Sequence, residues 1–383
     1  MPTSAFWFVE DLWLGGDVDG WWSRSSAGTS LERFVAIPGG SSIQQLLPWR
    51  PSSIVAATNR VSDDRSRFSA IRDASGVAAL LIASPFTSGR RFGVRCDRSF
   101  TSHVAEQLGV DRPTFGSVLF GPARANRKPV VQLHDRRGRP IAWVKVGTTD
   151  LTRKLLDQEI RTLTKFVAGN PKIKVPAVLA VGQYGEAQWA ALEPMSVAHR
   201  VRPTAALVDD VAMSIERTST RWEGRVDESS LLIRLRSAAD GLTSAAGAIE
   251  RLAVRHGHRP LVLTAAHGDL VPWNMLSGRP KPAVWDWERY DVAAPAGFDR
   301  IHNRVQVAVQ KQSVPLTHAV AHAETELSLH HDLPVESWPV QIDFYLATLL
   351  CRYERDAESH PNPRLLGRIR DLAGVLTERG VIA

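Results

Sequence analysis

The sequence predicts an α+β chain: a β-rich layer built around one helix, then a long helical region, with a small α/β module ahead of both. Three observations predict it. Between Thr114 and Leu192, apolar runs of strand length surround a single stretch of helical period. After Pro194 apolar residues recur at helical spacing, with one interruption between Leu261 and Tyr290. Ahead of Thr114 the spacing is irregular, and Trp7, Trp13, Trp21, Trp22 and Trp49 crowd into Ser- and Gly-rich sequence. A chain of 383 residues has the length for more than one domain and a sizeable core.

Composition excludes several classes. Hydrophobic residues make up 44% and charged residues 23%, as in ordinary globular proteins. The longest apolar run, Val77 to Ala83, is too short to span a bilayer, so no membrane partner is expected. The N-terminal stretch carries acids within its apolar residues and lacks a basic leader, and Cys96 and Cys351 lie far apart with no metal-ligand spacing. A cytoplasmic location is therefore expected. The net charge of +7 comes mostly from arginines scattered singly, with no lysine before Lys128. That pattern predicts no nucleic-acid partner.

Taken in order, residues 1–110 form the first module, an accessory domain whose role is not legible. Short apolar runs at Ser53–Ala57 and Val77–Ile82 alternate there with breaks at Ile37-Pro38-Gly39-Gly40 and Ser84-Pro85-Phe86. Irregularly spaced tryptophans more often pack a core or an interface than bind a ligand. From 111 to 193, strands are expected at Gly116–Phe120, Val130–His134, Ile141–Val146, Val175–Val181 and Gln188–Leu192. The polar turn 135–140 joins the second to the third. An amphipathic helix is expected over Asp150–Val167, stopped by Gly169-Asn170-Pro171. From 194 to 383, helices are expected at Thr204–Thr218, Ser229–His256, Asp299–Gln312, Leu316–Leu329, Ser337–Glu354 and Asn362–Arg379.

The interruption carries the chemistry. It reads His267-Gly268-Asp269-Leu270-Val271-Pro272-Trp273-Asn274-Met275-Leu276, then a turn, then Ala283-Val284-Trp285-Asp286-Trp287-Glu288. Pro272 forces a non-helical path from Asp269 to Asn274. Met275-Leu276 can pair with Val284-Trp285, which brings Asn274 and Asp286 to one end of a hairpin. Magnesium prefers oxygen ligands and keeps waters, so one carboxylate and one amide suffice beside substrate phosphates. A second carboxylate off the metal can orient a hydroxyl and accept its proton. Asp269 suits the base role, and Asn274 with Asp286 suits the metal role.

These residues resemble the aminoglycoside phosphotransferase and choline kinase-like branch of the protein-kinase fold. His-Gly-Asp with Asn five positions beyond the Asp matches its catalytic loop, and Trp285-Asp286-Trp287-Glu288 matches its metal-binding strand. The resemblance covers roughly residues 114–383 and implies a two-lobed fold, with 111–193 as the β-rich lobe and 194–383 as the helical lobe holding the catalytic loop and acceptor site. It implies an ATP- and Mg2+-dependent phosphotransferase acting on a hydroxyl of a small molecule, such as a sugar, amino alcohol or aminoglycoside-like compound. It also implies that Lys145, in the apolar strand Ile141–Val146, holds the nucleotide's α- and β-phosphates. Glu159 on the next helix would be its ion-pair partner, with Asp157 as the second choice. The plain alternative for Lys145 is an edge-strand residue whose stem packs while its ammonium reaches water. Leu192-Glu193-Pro194-Met195 resembles the hinge, in which the Glu193 carbonyl and the Met195 N–H would meet the adenine. Asp299 matches a position that braces the catalytic loop or caps a helix, and His267 one that fixes the loop backbone. Glu288 is either a third acidic group at the site or a solvated strand end.

Two departures accompany the resemblance. No Gly-x-Gly-x-x-Gly loop is present, only Phe120-Gly121-Pro122-Ala123, and residues 1–110 are not covered. His256-Gly257-His258 reads as the end of a helix, with metal ligation as the alternative. The competing functions are a non-catalytic nucleotide-binding module and a metal-dependent phosphohydrolase.

Overall fold

The computed structural model describes residues 18–20, 30–39, 42–48, 91–96, 99–111, 114–120, 128–195, 198–201, 203–329, 333–359 and 361–381. The N-terminal tryptophans, the runs at 53–57 and 77–82, the break at 84–86 and the positions 121–123 lie outside the described residues. The chain divides into two compact units, Met1–Ile160 with Pro176–Ser196, and Arg161–Val175 with Val197–Ala383.

The first unit is built on one nine-stranded sheet. Its strands are β1 (Val18–Gly20), β2 (Ser30–Gly39), β3 (Ser42–Pro48), β4 (Arg91–Cys96), β5 (Phe115–Leu119), β6 (Val130–His134), β7 (Pro140–Gly147), β8 (Val178–Tyr184) and β9 (Ala187–Leu192). Their order is β1-β4-β2-β3-β5-β6-β7-β9-β8, with antiparallel pairing throughout. The turn after β6 is held by the Asp135 carboxylate, which accepts from the N–H groups of Arg137 and Arg139 at 2.8 and 2.9 Å, an arrangement Asp favours in turns. Helix α1 (Phe100–Gln107) is capped by Ser99, whose hydroxyl accepts from Ser102 N–H. Phe100, Val104 and Ala105 of α1 join Phe34, Leu46, Val118, Val131, Leu133, Val144 and Trp189 in one core.

The sheet continues across the expected boundary at 110/111. Strand β3 pairs with β5 through Gln45↔Leu119 and Leu46↔Val118, so the described part of the first region shares both sheet and core with the lobe that follows. The physical reason is burial: the apolar faces of β5, β6 and β7 need cover, and α1 with β2 and β3 contributes apolar side chains to the same cluster. Of the expected break, Ile37, Pro38 and Gly39 lie in β2, with a register shift between Ile37 and Pro38, and position 40 lies outside the described residues.

Helix α2 (Asp150–Arg161) continues the chain after β7, and a π turn at Thr162–Phe166 follows it. The second unit holds α3 (Ala205–Glu216), α4 (Ser230–Ala238), α5 (Thr243–His256), α6 (Phe298–Lys311), α7 (Leu316–Ser328), α8 (Trp338–Ser359) and α9 (Pro363–Glu378). The single helix expected over 229–256 is two, because the chain turns at Gly241 with φ 78°, a conformation glycine adopts without a Cβ penalty. Thr204, Ser229 and Asn362 cap α3, α4 and α9 through side-chain oxygens.

Two small sheets carry the interruption. One pairs β11 (Trp222–Arg225), β12 (Pro260–Ala266) and β15 (Asp291–Pro295), and the other β10 (Ala198–Val201), β13 (Met275–Arg279) and β14 (Ala283–Val284). The helices and β12 enclose a core that includes Leu252, Leu263, Phe298, Ile301, Trp338 and Phe344. No helix among the described residues is long and apolar enough to cross a membrane.

Candidate active site

In the first unit, Lys145 lies on β7 between β6 and β9, opposite Val130 and Ala190. It therefore occupies an interior strand, not an edge, and is 8% exposed. An ammonium buried this far requires a partner. Glu159 of α2 provides it: Lys145 Nζ donates to both carboxylate oxygens, at 2.6 and 2.9 Å, and the glutamate is 1% exposed. Asp157 points elsewhere and accepts a hydrogen bond from Gln188 on β9. Two positions along a helix rotate a side chain by about 200°, which separates these acids.

Glu193 and Met195 follow β9. Glu193 N–H donates to Ala177 O at 2.8 Å, and Met195 is buried. The first unit ends at Ser196, so the expected hinge residues sit where the chain leaves it.

In the second unit, β12 leads into the His267–Asn274 loop. Gly268 has φ 81°, and a Cβ there would lie 2.2 Å from Arg289 O, so only glycine fits the position. Asp299, at the start of α6, accepts the N–H groups of His267 and Gly268 at 2.6 and 2.9 Å. Burial pushes its carboxyl up to about 7 against those two donors. His267 Nε2 contacts Trp285 O at 2.9 Å, and its ring lies 4.5 Å from that of Trp287. Asp299 thus holds the loop backbone at His267 and Gly268, and the His267 ring ties it to Trp285.

Asp269 is engaged at both oxygens. Asn274 Nδ2 donates to its Oδ2 at 3.0 Å and to its backbone oxygen at 2.9 Å. His302 Nε2 lies 3.0 Å from its Oδ1, while His302 Nδ1 lies 3.2 Å from the Tyr345 hydroxyl. A tautomer protonated at Nε2 and accepting at Nδ1 satisfies both contacts. Burial of the Asp269 carboxylate opposes its charge, but the hydrogen bond from His302 and the electrostatic pull of His302, His267 and Arg352 outweigh it and hold the carboxyl at about 2. Its side chain is nevertheless 46% exposed, which leaves the carboxylate open to a substrate.

Asn274 and Asp286 lie on the two sides of the hairpin's open end. Met275 pairs with Val284 and Leu276 with Ala283, one step from the expected register, and Trp285 N–H donates to Asn274 O at 3.1 Å. With Asn274 Nδ2 committed to Asp269, its Oδ1 is the atom suited to a cation. Asp286 adopts left-handed φ 67° and ψ 49°, which for a non-glycine residue costs about 1–3 kcal/mol and marks a site where geometry is imposed. One amide oxygen plus one carboxylate is the oxygen donor set that magnesium accepts when phosphates and waters complete its shell. Among the described residues no cluster of three His, Cys, Asp or Glu side chains could hold a metal by itself. His256 is tied by Nε2 to Asp343 at 2.9 Å inside the core, and His258 is exposed, so the two do not form a metal site. Glu288 lies in the short 3-10 turn after Asp286.

Three residues at this site went unanticipated. His302 sits three positions after Asp299 on the same helix, a signal that was present. Tyr345 and Arg352 come from α8, and nothing local links them to the loop. Arg352 Nη1 donates to Gly268 O at 2.9 Å.

No family model and no curated protein matches this sequence. The chain is similar to solved structures of small-molecule phosphotransferases. One is a thermostable mutant of aminoglycoside phosphotransferase APH(4)-Ia in ternary complex with AMP-PNP and hygromycin B, at 13% identity and TM-score 0.48, covering 72% of this chain and 98% of that one. Another is the amicoumacin kinase hAmiN in complex with AMP-PNP, Ca2+ and Ami, at 12% identity and TM-score 0.45, covering 69% of this chain and 89% of that one. At this degree of likeness, the chemistry has to be read from this chain's own residues.

Proposed function

We propose that this protein is an ATP- and Mg2+-dependent phosphotransferase acting on a hydroxyl group of a small molecule. The observation that carries the reading is Asn274: its amide nitrogen holds Asp269, while its backbone oxygen binds Trp285 beside Asp286. One residue thus couples a candidate base to a candidate metal ligand. The buried Lys145–Glu159 pair supports it, because a lysine held rigid by a carboxylate suits the α- and β-phosphates of a nucleotide. Glu193 O and Met195 N–H would meet the adenine.

In the reaction, the acceptor oxygen forms a bond to the γ-phosphorus as the bond from that phosphorus to the β–γ bridging oxygen breaks. ADP leaves with that oxygen, and the hydroxyl proton passes to Asp269. A carboxyl held at about 2 is ionised at neutral pH, so it is always ready to orient the hydroxyl, and it accepts the proton late, once bond formation has acidified it. Magnesium held by Asn274 Oδ1 and Asp286 would supply neutralising charge to the phosphates. His302 and Asn274 keep the Asp269 carboxylate from rotating, which reduces the reorganisation needed at the moment of transfer.

The test is a mass-spectrometric screen of a hydroxyl-metabolite library with ATP and magnesium. Phosphorylated product that depends on Asp269 is expected. Nucleotide binding without any product would indicate a binding module, and acceptor-independent phosphate release a hydrolase.

A further inference from the structure

The loop that presents Asp269 is flanked by two guanidinium groups with unequal compensation. Arg289 packs its backbone against Gly268, and its side chain pairs with Asp356 at 3.0 Å. Asp356 is buried, so this pair is neutral by itself. Arg352, one turn before Asp356 on α8, donates Nη1 to Gly268 O. Among the described residues no carboxylate lies within ion-pair distance of it. Bracing one carbonyl uses one of the five N–H donors of an arginine, and a neutral side chain could do as much. The rest of this half-buried guanidinium has no protein acceptor among the described residues. Asp269 and Asp356 attract its charge at longer range, but with no direct ion-pair partner among the described residues, holding this cation partly out of water remains costly, and an arriving anion lowers that cost.

We infer that Arg352 is a specificity-determining residue, and that the acceptor phosphorylated at Asp269 carries a carboxylate or phosphate close to its reacting hydroxyl. The inference rests on the phosphotransferase reading above and names its substrate class. An arginine presents paired N–H groups that match the two oxygens of such an anion. Arg352's guanidinium is also destabilised in its charged form, first by burial and then by the neighbouring Arg289, and Asp269 and Asp356 offset this only in part, a setting that favours an incoming negative charge. The two anions available are the acceptor's own group and the phosphoryl group in transfer. Arg352 is assigned to the acceptor because its anchor is the loop that positions Asp269, the residue that meets the acceptor hydroxyl.

The experiment compares matched acceptor probes with ATP and magnesium: serine against ethanolamine, gluconate and glucuronate against glucose, and glycerol 3-phosphate against glycerol. In the wild-type chain, kcat/KM for the anionic member of at least one pair should exceed that of its partner by 10-fold or more. In Arg352→Gln that selectivity ratio should fall by about 10- to 100-fold, the worth of a charge-assisted hydrogen-bond pair, mainly through KM. Arg352→Lys should recover part of it, which a merely structural lesion would not. Because the readout is a ratio within one protein, partial unfolding cancels. An unchanged ratio in Arg352→Gln, with both members slowed equally, would assign Arg352 to the phosphoryl group or to loop bracing and overturn the inference. Phosphorylation of neutral or cationic members alone would overturn it while leaving the phosphotransferase reading intact. No phosphorylation of any probe, together with no product in the wider library, would remove both.

Discussion

His302 and Asp269 stand 33 residues apart in sequence and meet at 3.0 Å, His302 Nε2 against Asp269 Oδ1. With Asn274 on the other oxygen, this contact turns a loop carboxylate into a fixed one and sets what its substitution should do.

Asp269→Asn is expected to lower phosphoryl transfer by about two to four orders of magnitude, the usual worth of a general base, with nucleotide affinity little changed. The pH dependence follows from the carboxyl's position at about 2. A lowered pKa keeps the ionised form populated down to that value, so the acidic limb attributable to Asp269 should lie well below the ordinary carboxylate range near 4. A kcat/KM profile that drops with an apparent pKa of about 4 or higher and loses that limb in Asp269→Asn would contradict this.

Lys145 and Glu159 should behave as one unit. Removing either partner strands the other in a buried setting, at a cost of about 3–5 kcal/mol, while removing both should cost less than the sum. A double-mutant cycle of Lys145→Ala and Glu159→Ala, read in both denaturation and turnover, should therefore be strongly non-additive. Additive losses would separate the two roles.

Asp286→Ala should abolish the magnesium dependence of nucleotide binding, because the anionic member of the proposed donor set is lost. Calorimetric titration with Mg-ATP is expected to show the affinity collapse while circular dichroism stays that of the parent. An unaltered magnesium response would reassign the metal ligand.

Phe100→Ala tests the integration of the first region. Phe100 is fully buried among Val118, Leu133 and Val144, and its truncation should cost about 3–5 kcal/mol. A chain beginning at Gly109 would lose all of α1 and its apolar cover. It should therefore melt earlier and be cut faster by protease than the full chain. An independent accessory module would leave both measurements unchanged.

What was legible in the sequence is what local spacing controls. Asp269, Asn274 and Asp286 lie on a loop and the hairpin that follows it, where Pro272 and a two-residue ladder dictate the path. Glu159 was expected from the family resemblance, and the structure places it, and not Asp157, against Lys145. The tertiary structure alone decided the rest, since those contacts join residues that no local period relates. Whether β3 pairs with β5 depends on which apolar faces lack cover after collapse. Tyr345 reaches His302, and Arg352 reaches the loop at Gly268, only because the core around Phe298 and Trp338 packs α8 beside them. Short-range patterning thus specified the candidate site groups, and long-range burial chose the neighbours that set their charge and orientation.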